Sequence, residues 1–337
     1  MIHQYKSNGY NIVMDVESGA VHVVDDVTYD VIALFEDTEI SKIVEQLSDK
    51  YDKADIEEAI SEVNQLKEDG QLFTQDIYQP FIEEFKDKRQ TVVKALCLHI
   101  AHDCNLACKY CFAEEGEYHG RRAMMSFEVG KKALDFLVAN SGSRVNLEVD
   151  FFGGEPLMNW DVVKQLVEYG RSLEEPNHKK FRFTLTTNGV LLNDEIMEYL
   201  NKEMSNVVLS LDGRKEVNDR MRPFRTGKGS YDLIVPKFQK FAESRNQTNY
   251  YVRGTFTRNN LDFSKDVLHY ADLGFKQMSM EPVVASPEDD YAIREEDLPR
   301  ILEEYDKLAD AYLEYRKAGK GFNFFHFNID LTQSPCV

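Results

Sequence analysis

Three cysteines, Cys104, Cys108 and Cys111, stand within eight positions of a 337-residue chain that has five cysteines in all. The run reads Cys104-Asn105-Leu106-Ala107-Cys108-Lys109-Tyr110-Cys111-Phe112. A C-x3-C-x2-C spacing on a compact loop lets three thiolates converge on one [4Fe–4S] cube and leaves the fourth iron open. An open iron can chelate the amino and carboxylate groups of a methionine moiety and pass an electron into its sulfonium. Zinc is the other reading. It wants four closed ligands, and His99, His102 or His119 is available as the fourth. Five cysteines are few for a disulfide scaffold, and a tight group of three in a reducing compartment reads as metal or redox chemistry. Cys97 lies inside a candidate strand and is expected to be a small core residue, not a ligand.

These thiols need a frame. Runs rich in apolar and β-branched residues at 92–100, 145–152, 181–186, 207–211, 250–257 and 277–281 read as strands. Helical patterns at 127–140, 160–173 and 295–318 separate or follow them. Strands alternating with helices imply a parallel sheet. Six of them suit an α/β partial (β/α)6 barrel, whose functional residues sit just after the strand C-termini. The cysteine loop follows the first strand. Gly153-Gly154-Glu155-Pro156 follows the second, Thr187-Asn188-Gly189 the third, and Ser210-Leu211-Asp212-Gly213 the fourth; Arg253-Gly254-Thr255 lies on the fifth. Each piece alone has a plain reading: a tight turn before a helix, a helix cap, a surface ion pair. Their order behind the cysteine loop is what carries information.

Residues 1–80 read differently. Strands at 10–15 and 20–24 flank a turn at Glu17-Ser18-Gly19. Three apolar stripes follow: Val27, Val31, Ile32 and Leu34; then Ile40, Ile43, Val44 and Leu47; then Ile56, Ile60, Val63 and Leu66. Gly70 ends the last helix, and Gln71-Leu72-Phe73 is expected to be extended again. A hairpin, three helices and a short strand outline a small winged-helix-like domain.

With Tyr110 before its third cysteine, the loop resembles the C-x3-C-x-Y-C signature of radical SAM enzymes. Gly153-Gly154-Glu155-Pro156 is similar to that family's GGEP motif. The resemblance implies a [4Fe–4S] cluster on Cys104, Cys108 and Cys111. It implies S-adenosylmethionine (SAM) held by Tyr110, Phe112, Gly153, Gly154, Glu155, Asn188, Ser210, Asp212 and Arg253. In that scheme Glu155 accepts from the methionine ammonium, the Ser210 hydroxyl reaches the ribose and Arg253 pairs the carboxylate. Asp212-Gly213 with Asn218-Asp219-Arg220 and Arg222-Pro223 is similar to the peptide-modifying branch that carries a SPASM extension. The first 26 residues look like the start of maturases acting on SCIFF peptides, which couple cysteine sulfur to a carbon of another residue. The implied order is a RiPP recognition element at 1–80, a linker at 81–92, the barrel at 93–320 and the start of a SPASM-type extension at 321–337. Cys336 matches the first ligand of that extension, so auxiliary [4Fe–4S] clusters are expected only in a longer protein. The implied partners are a cysteine-rich precursor peptide, bound through its leader by residues 1–80, and an electron donor.

Bulk properties agree with a peptide partner. The formal net charge is −19, which disfavours nucleic acid, whose affinity rests on phosphate neutralisation. It equally disfavours an anionic membrane surface. Residues 1–80 hold 18 acidic and 5 basic side chains, so about 13 of those negative charges lie there. No apolar run approaches the roughly 20 residues of a membrane span, and the N-terminus lacks a signal-peptide pattern; the expected location is the cytoplasm. Two competing readings remain: another SPASM-type modifier, of the carbon–carbon cross-linking or sulfatase-maturing type, and a peptide-binding module with an incomplete enzyme half. Iron-dependent colour after anaerobic reconstitution separates enzyme from module.

Overall fold

A computed structural model describes residues 1–77, 79–82, 84, 92–114, 116–118 and 120–328. They fall into two compact units, one within residues 1–90 and one within 91–328.

The first unit opens with three antiparallel strands, β1 (Ile2–Ser7), β2 (Tyr10–Asp15) and β3 (Val21–Val24), in that order across the sheet. β1 was not expected from the sequence. Its signal is Asn8-Gly9, both at positive φ (49° and 80°), which is the turn that a two-residue hairpin needs. Helices α1 (Asp26–Leu34), α2 (Ile40–Leu47) and α3 (Lys53–Glu68) follow. Asp25 caps α1 by accepting from the Thr28 N–H at 2.8 Å. The three apolar stripes meet on Val13 and bury Val31, Ile43, Ile56 and Val63 completely. Gln71–Phe73 is not a strand, contrary to expectation. Gly70 and Phe73 both sit at positive φ, which breaks an extended run. Leu72 is nonetheless fully buried. Asp15, also buried, accepts from the Thr74 N–H (2.9 Å) and hydroxyl (2.8 Å) and fastens this segment to β2.

The second unit is an eight-stranded sheet: β4 (Ala95–His102), β5 (Ala123–Met124), β6 (Asn146–Gly153), β7 (Lys180–Thr187), β8 (Met204–Ser210), β9 (Tyr250–Phe256), β10 (Gln277–Pro282) and β11 (Asn323–Phe324). The spatial order is β11-β10-β9-β8-β7-β6-β4-β5, parallel except for β5. All six expected strands are present, with α4 (Phe127–Ala139) and α5 (Trp160–Asn177) close to their expected places. Helix α10 (Leu298–Lys317) falls within the expected 295–318, and α6 (Asp194–Glu203), α7 (Lys215–Met221), α8 (Tyr231–Ser244) and α9 (Ser264–Asp272) are further helices between the strands. The architecture is the α/β partial barrel.

Strand parity explains the two faces. Leu98, Ile100, Val149, Phe151, Phe183, Leu185, Leu209 and Val252 are buried against helices in one core. The alternate residues, among them Cys97, His99, Asp150, Thr184, Ser210 and Arg253, lie on the other face. Cys97 is therefore not a core residue: it is exposed, in phase with His99 and out of phase with Leu98. At the far edge β11 pairs with β10, and Phe322 and Phe324 enter the main core. The expected boundary at 320/321 thus falls inside the barrel's own packing. The expected linker at 81–92 lies mostly outside the described residues, as do His119 and Cys336. Among the described residues no helix is long and apolar enough to cross a membrane.

Candidate cysteine-loop centre

The cysteine loop leaves the C-terminal end of β4 and is clamped from two sides. On one side the Gly154 N–H donates to Ala101 O (2.7 Å) and the Glu155 N–H to Asp103 O (2.9 Å). This closeness requires glycine. Gly153 has φ +123°, and a Cβ on Gly154 would run into the Asp103 carbonyl. On the other side the Ala107 N–H donates to Pro223 O (2.8 Å) and the Lys109 N–H to Met221 O (2.9 Å). The Arg225 guanidinium holds the Cys104 carbonyl at 2.9 and 3.1 Å.

Between the clamps lies a cavity of about 170 Å³. Cys104, Cys108, Cys111, Tyr110, Phe112, Gly153, Gly154, Glu155, Asn188 and Ser210 all line it. Ten residues chosen from sequence thus share one pocket. Among the described residues the thiols carry no disulfide. Burial pushes the Cys104 thiol up to about 12, with the Glu155 charge adding to it, and pushes Cys108 up to about 11. Near neutral pH both are protonated unless a metal displaces the proton.

Glu155 is completely buried. One carboxylate oxygen accepts from the Leu157 N–H (3.0 Å) and the Thr187 hydroxyl (2.8 Å); the other accepts from the Asn188 N–H (2.8 Å). Burial still holds this carboxyl above its ordinary range. The second oxygen keeps room for another donor. The Asn188 side chain donates to Asn105 Oδ1 at 2.7 Å and approaches the Cys104 sulfur at 3.5 Å.

Two expected SAM ligands stand apart. Asp212 is fully buried, and its carboxylate accepts from the Tyr110 hydroxyl (2.7 Å) and the Thr255 N–H (3.1 Å). It anchors the cysteine loop through Tyr110 and does not line the cavity. Arg253 is more than half exposed and pairs with Glu281 at 3.7 Å. It lines a separate cavity of about 220 Å³ with Tyr251, Ser279 and Phe325.

Two neighbours carried no assigned role in the sequence reading. Asn105 Nδ2 and Arg222 Nε are buried beside the loop and have no hydrogen-bond partner among the described residues. Arg222 was visible only as part of a motif, because its contact to Tyr110 spans 112 positions.

Three thiols are the donor set of a cuboidal cluster with one open iron, whereas zinc needs a fourth ligand. His99 and His102 pack on the Tyr118 ring (centroids 4.5 and 4.8 Å apart), and His119 lies outside the described residues. Unpartnered N–H groups beside the thiols suit a sulfur-rich anion.

Known proteins resemble this chain. Residues 98–261 match the model of the Radical SAM superfamily. An uncharacterized protein of Methanocaldococcus jannaschii is 28% identical over 66% of this chain and 72% of its own length. The radical SAM cyclopropyl synthase TigE of Paramaledivibacter caminithermalis is 25% identical over 53% of this chain and 39% of its own. The cysteine-type anaerobic sulfatase-maturating enzyme of Clostridium novyi is 30% identical over 40% of this chain and 36% of its own. The chain thus spans less than half the length of the two named enzymes. Among solved structures, anSMEcpe with bound AdoMet superposes with a TM-score of 0.61 at 20% identity, over 70% of this chain and 65% of that one. Streptococcus suis SuiB bound to S-adenosylmethionine gives 0.53 at 16%, over 96% and 71%. At these identities the likeness establishes the fold.

Proposed function

We propose that this protein is a radical SAM peptide maturase that installs thioether cross-links, cysteine sulfur to carbon, in a ribosomally made cysteine-rich peptide. The observation that carries the reading is the convergence of Cys104, Cys108 and Cys111 with the Gly153–Glu155 backbone on one cavity. Cys104, Cys108 and Cys111 hold a [4Fe–4S] cluster; Glu155 offers its remaining acceptor position to the SAM ammonium; Ser210 presents a hydroxyl to the ribose. When bound, the cluster and SAM supply a 5′-deoxyadenosyl radical, the hydrogen-abstracting agent. The enclosing cavity keeps water from it, and the polar sheet face beyond Ser210 receives the peptide.

The peptide half of the reading draws on relatives. SuiB is known bound to its precursor peptide SuiA and aligns with 96% of this chain, and anSMEcpe is known with AdoMet and a peptide. In this chain residues 1–80 grip the leader as a strand added to the exposed edge of β3, where Val21 and Val23 are solvent-facing. The acidity of the block attracts a basic leader and raises its rate of capture. A structural cap over the barrel is the bland alternative for these residues.

Anaerobic reconstitution followed by iron and 5′-deoxyadenosine assays tests the enzyme. Incubation with a cysteine-rich precursor, then cysteine alkylation and mass spectrometry, tests the product. Cysteines that vanish from alkylation with loss of two hydrogens per link support a thioether. Loss of hydrogens with every cysteine still alkylated rejects it in favour of carbon–carbon linkage. Deleting residues 1–80 is expected to spare uncoupled SAM cleavage and abolish peptide modification. Undiminished modification would assign these residues to the structural role.

A further inference from the structure

The cysteine-loop cavity contains a cation that the proposed reaction leaves unused. Arg222 is only 8% exposed and lines the same cavity as the three thiols. It follows α7 directly, between Met221 and Pro223, whose carbonyls clamp the loop. Its Nη1 donates to the Tyr110 hydroxyl at 2.8 Å, and that hydroxyl donates to Asp212. The carbonyl of Arg222 is itself fixed by the buried Ser230 hydroxyl at 2.7 Å, and Ser230 accepts from Asn218. The side chain is therefore held at both ends.

Its electrostatic position is incomplete. The Nε–H is buried and has no partner among the described residues. Among the described residues no carboxylate forms a direct ion pair with the guanidinium; Asp212 reaches it through Tyr110. A buried, unpaired charge with an unsatisfied donor is costly. Burial opposes the charge on Arg222, and Cys108 is the largest influence favouring it, followed by Tyr110 and Asp212. The arrangement is a donor and a positive charge waiting for an anion on the thiol side.

We propose that Arg222 is the buried counter-cation of the cluster, its Nε–H available to a sulfur in the shared cavity, with Tyr110 and Asp212 as the groups that orient it. This rests on the cluster assignment above. A cluster on three thiolates is anionic and gains one further negative charge on reduction. A fixed cation and an N–H···S bond at one corner favour the reduced form and raise the potential. Asp212, one hydroxyl away, partly offsets that charge.

The test is an EPR-monitored redox titration of the full chain after anaerobic reconstitution, with iron counted for each protein. Arg222→Gln is expected to move the midpoint to more negative potential, Arg222→Lys to stay nearer the wild type, and Asp212→Asn to move it the opposite way. Should Arg222→Gln lose its iron, the same proposal requires Arg222→Lys to keep it. A midpoint unchanged in iron-replete Arg222→Gln, or Lys and Gln variants indistinguishable in potential or both devoid of iron, would overturn the proposal. Failure of the wild type to take up iron would instead strike the cluster assignment itself.

Discussion

Ser210 and Arg253 face each other in register on neighbouring strands, yet they serve different surroundings. Ser210 opens into the cavity of the cysteine loop, and Arg253 into a second cavity where its charge is already matched by Glu281. The first cavity is built from three thiols and backbone brought close by glycine. In the second the cation meets a carboxylate, and Glu281 also lies within 3.4 Å of His326. Strand-end position alone therefore does not place a residue in the cysteine-loop cavity. What distinguishes the first cavity is the grouping of thiols against glycine backbone.

The sharpest way to break this contrast is at the thiols. Replacing Cys104, Cys108 and Cys111 together with alanine is expected to abolish iron uptake and SAM cleavage. Cys97→Ala, on the exposed face, is expected to keep both. Substantial iron in the triple variant would erase the distinction between the two cavities.

Next in size are the polar ligands. Glu155→Ala should weaken SAM binding by about 2–3 kcal/mol and lower the melting temperature, because it strands three buried donors. Ser210→Ala should weaken binding by about 1 kcal/mol. Arg253→Ala, exposed and ion-paired, should change it by less than about 0.5 kcal/mol. Isothermal titration ranks the three, and a loss at Arg253 equal to that at Glu155 would show that the cavities act as one.

The smallest expected effect is on stability of the iron-free protein. Raised thiol pKa values stabilise the fold fully below the ordinary cysteine value of 9.0. That contribution is lost as pH rises through about 11 and 12. Iron-free wild type should therefore lose melting temperature between pH 9 and 11 faster than a Cys104→Ala/Cys108→Ala variant. Parallel curves would mean that burial of the thiols is not maintained in solution.

Much of this was legible in the chain. The cysteine spacing, the six strands and the three apolar stripes are local patterns, and each became an element. Cys97 misled because a small residue inside a strand reads as core, whereas Leu98 and Ile100 mark the buried phase and Cys97 is out of it. Gly70 and Phe73 hid a bend inside an apolar triplet. Asp212 and Arg222 were legible as types but not as tasks. Their work is done on Tyr110, 102 and 112 positions away, and no periodicity reports a contact of that span.

That span has a consequence in time. The thiols leave the ribosome long before the segment that completes their clamp: Arg225, which holds the Cys104 carbonyl, lies 121 positions later. Closing a loop of that length costs entropy that only the finished barrel offsets. Until then the three thiols are near neighbours on an open strand end, prone to pair by oxidation. The clamp on the three thiols is thus complete only once the Arg222–Arg225 segment has joined the loop.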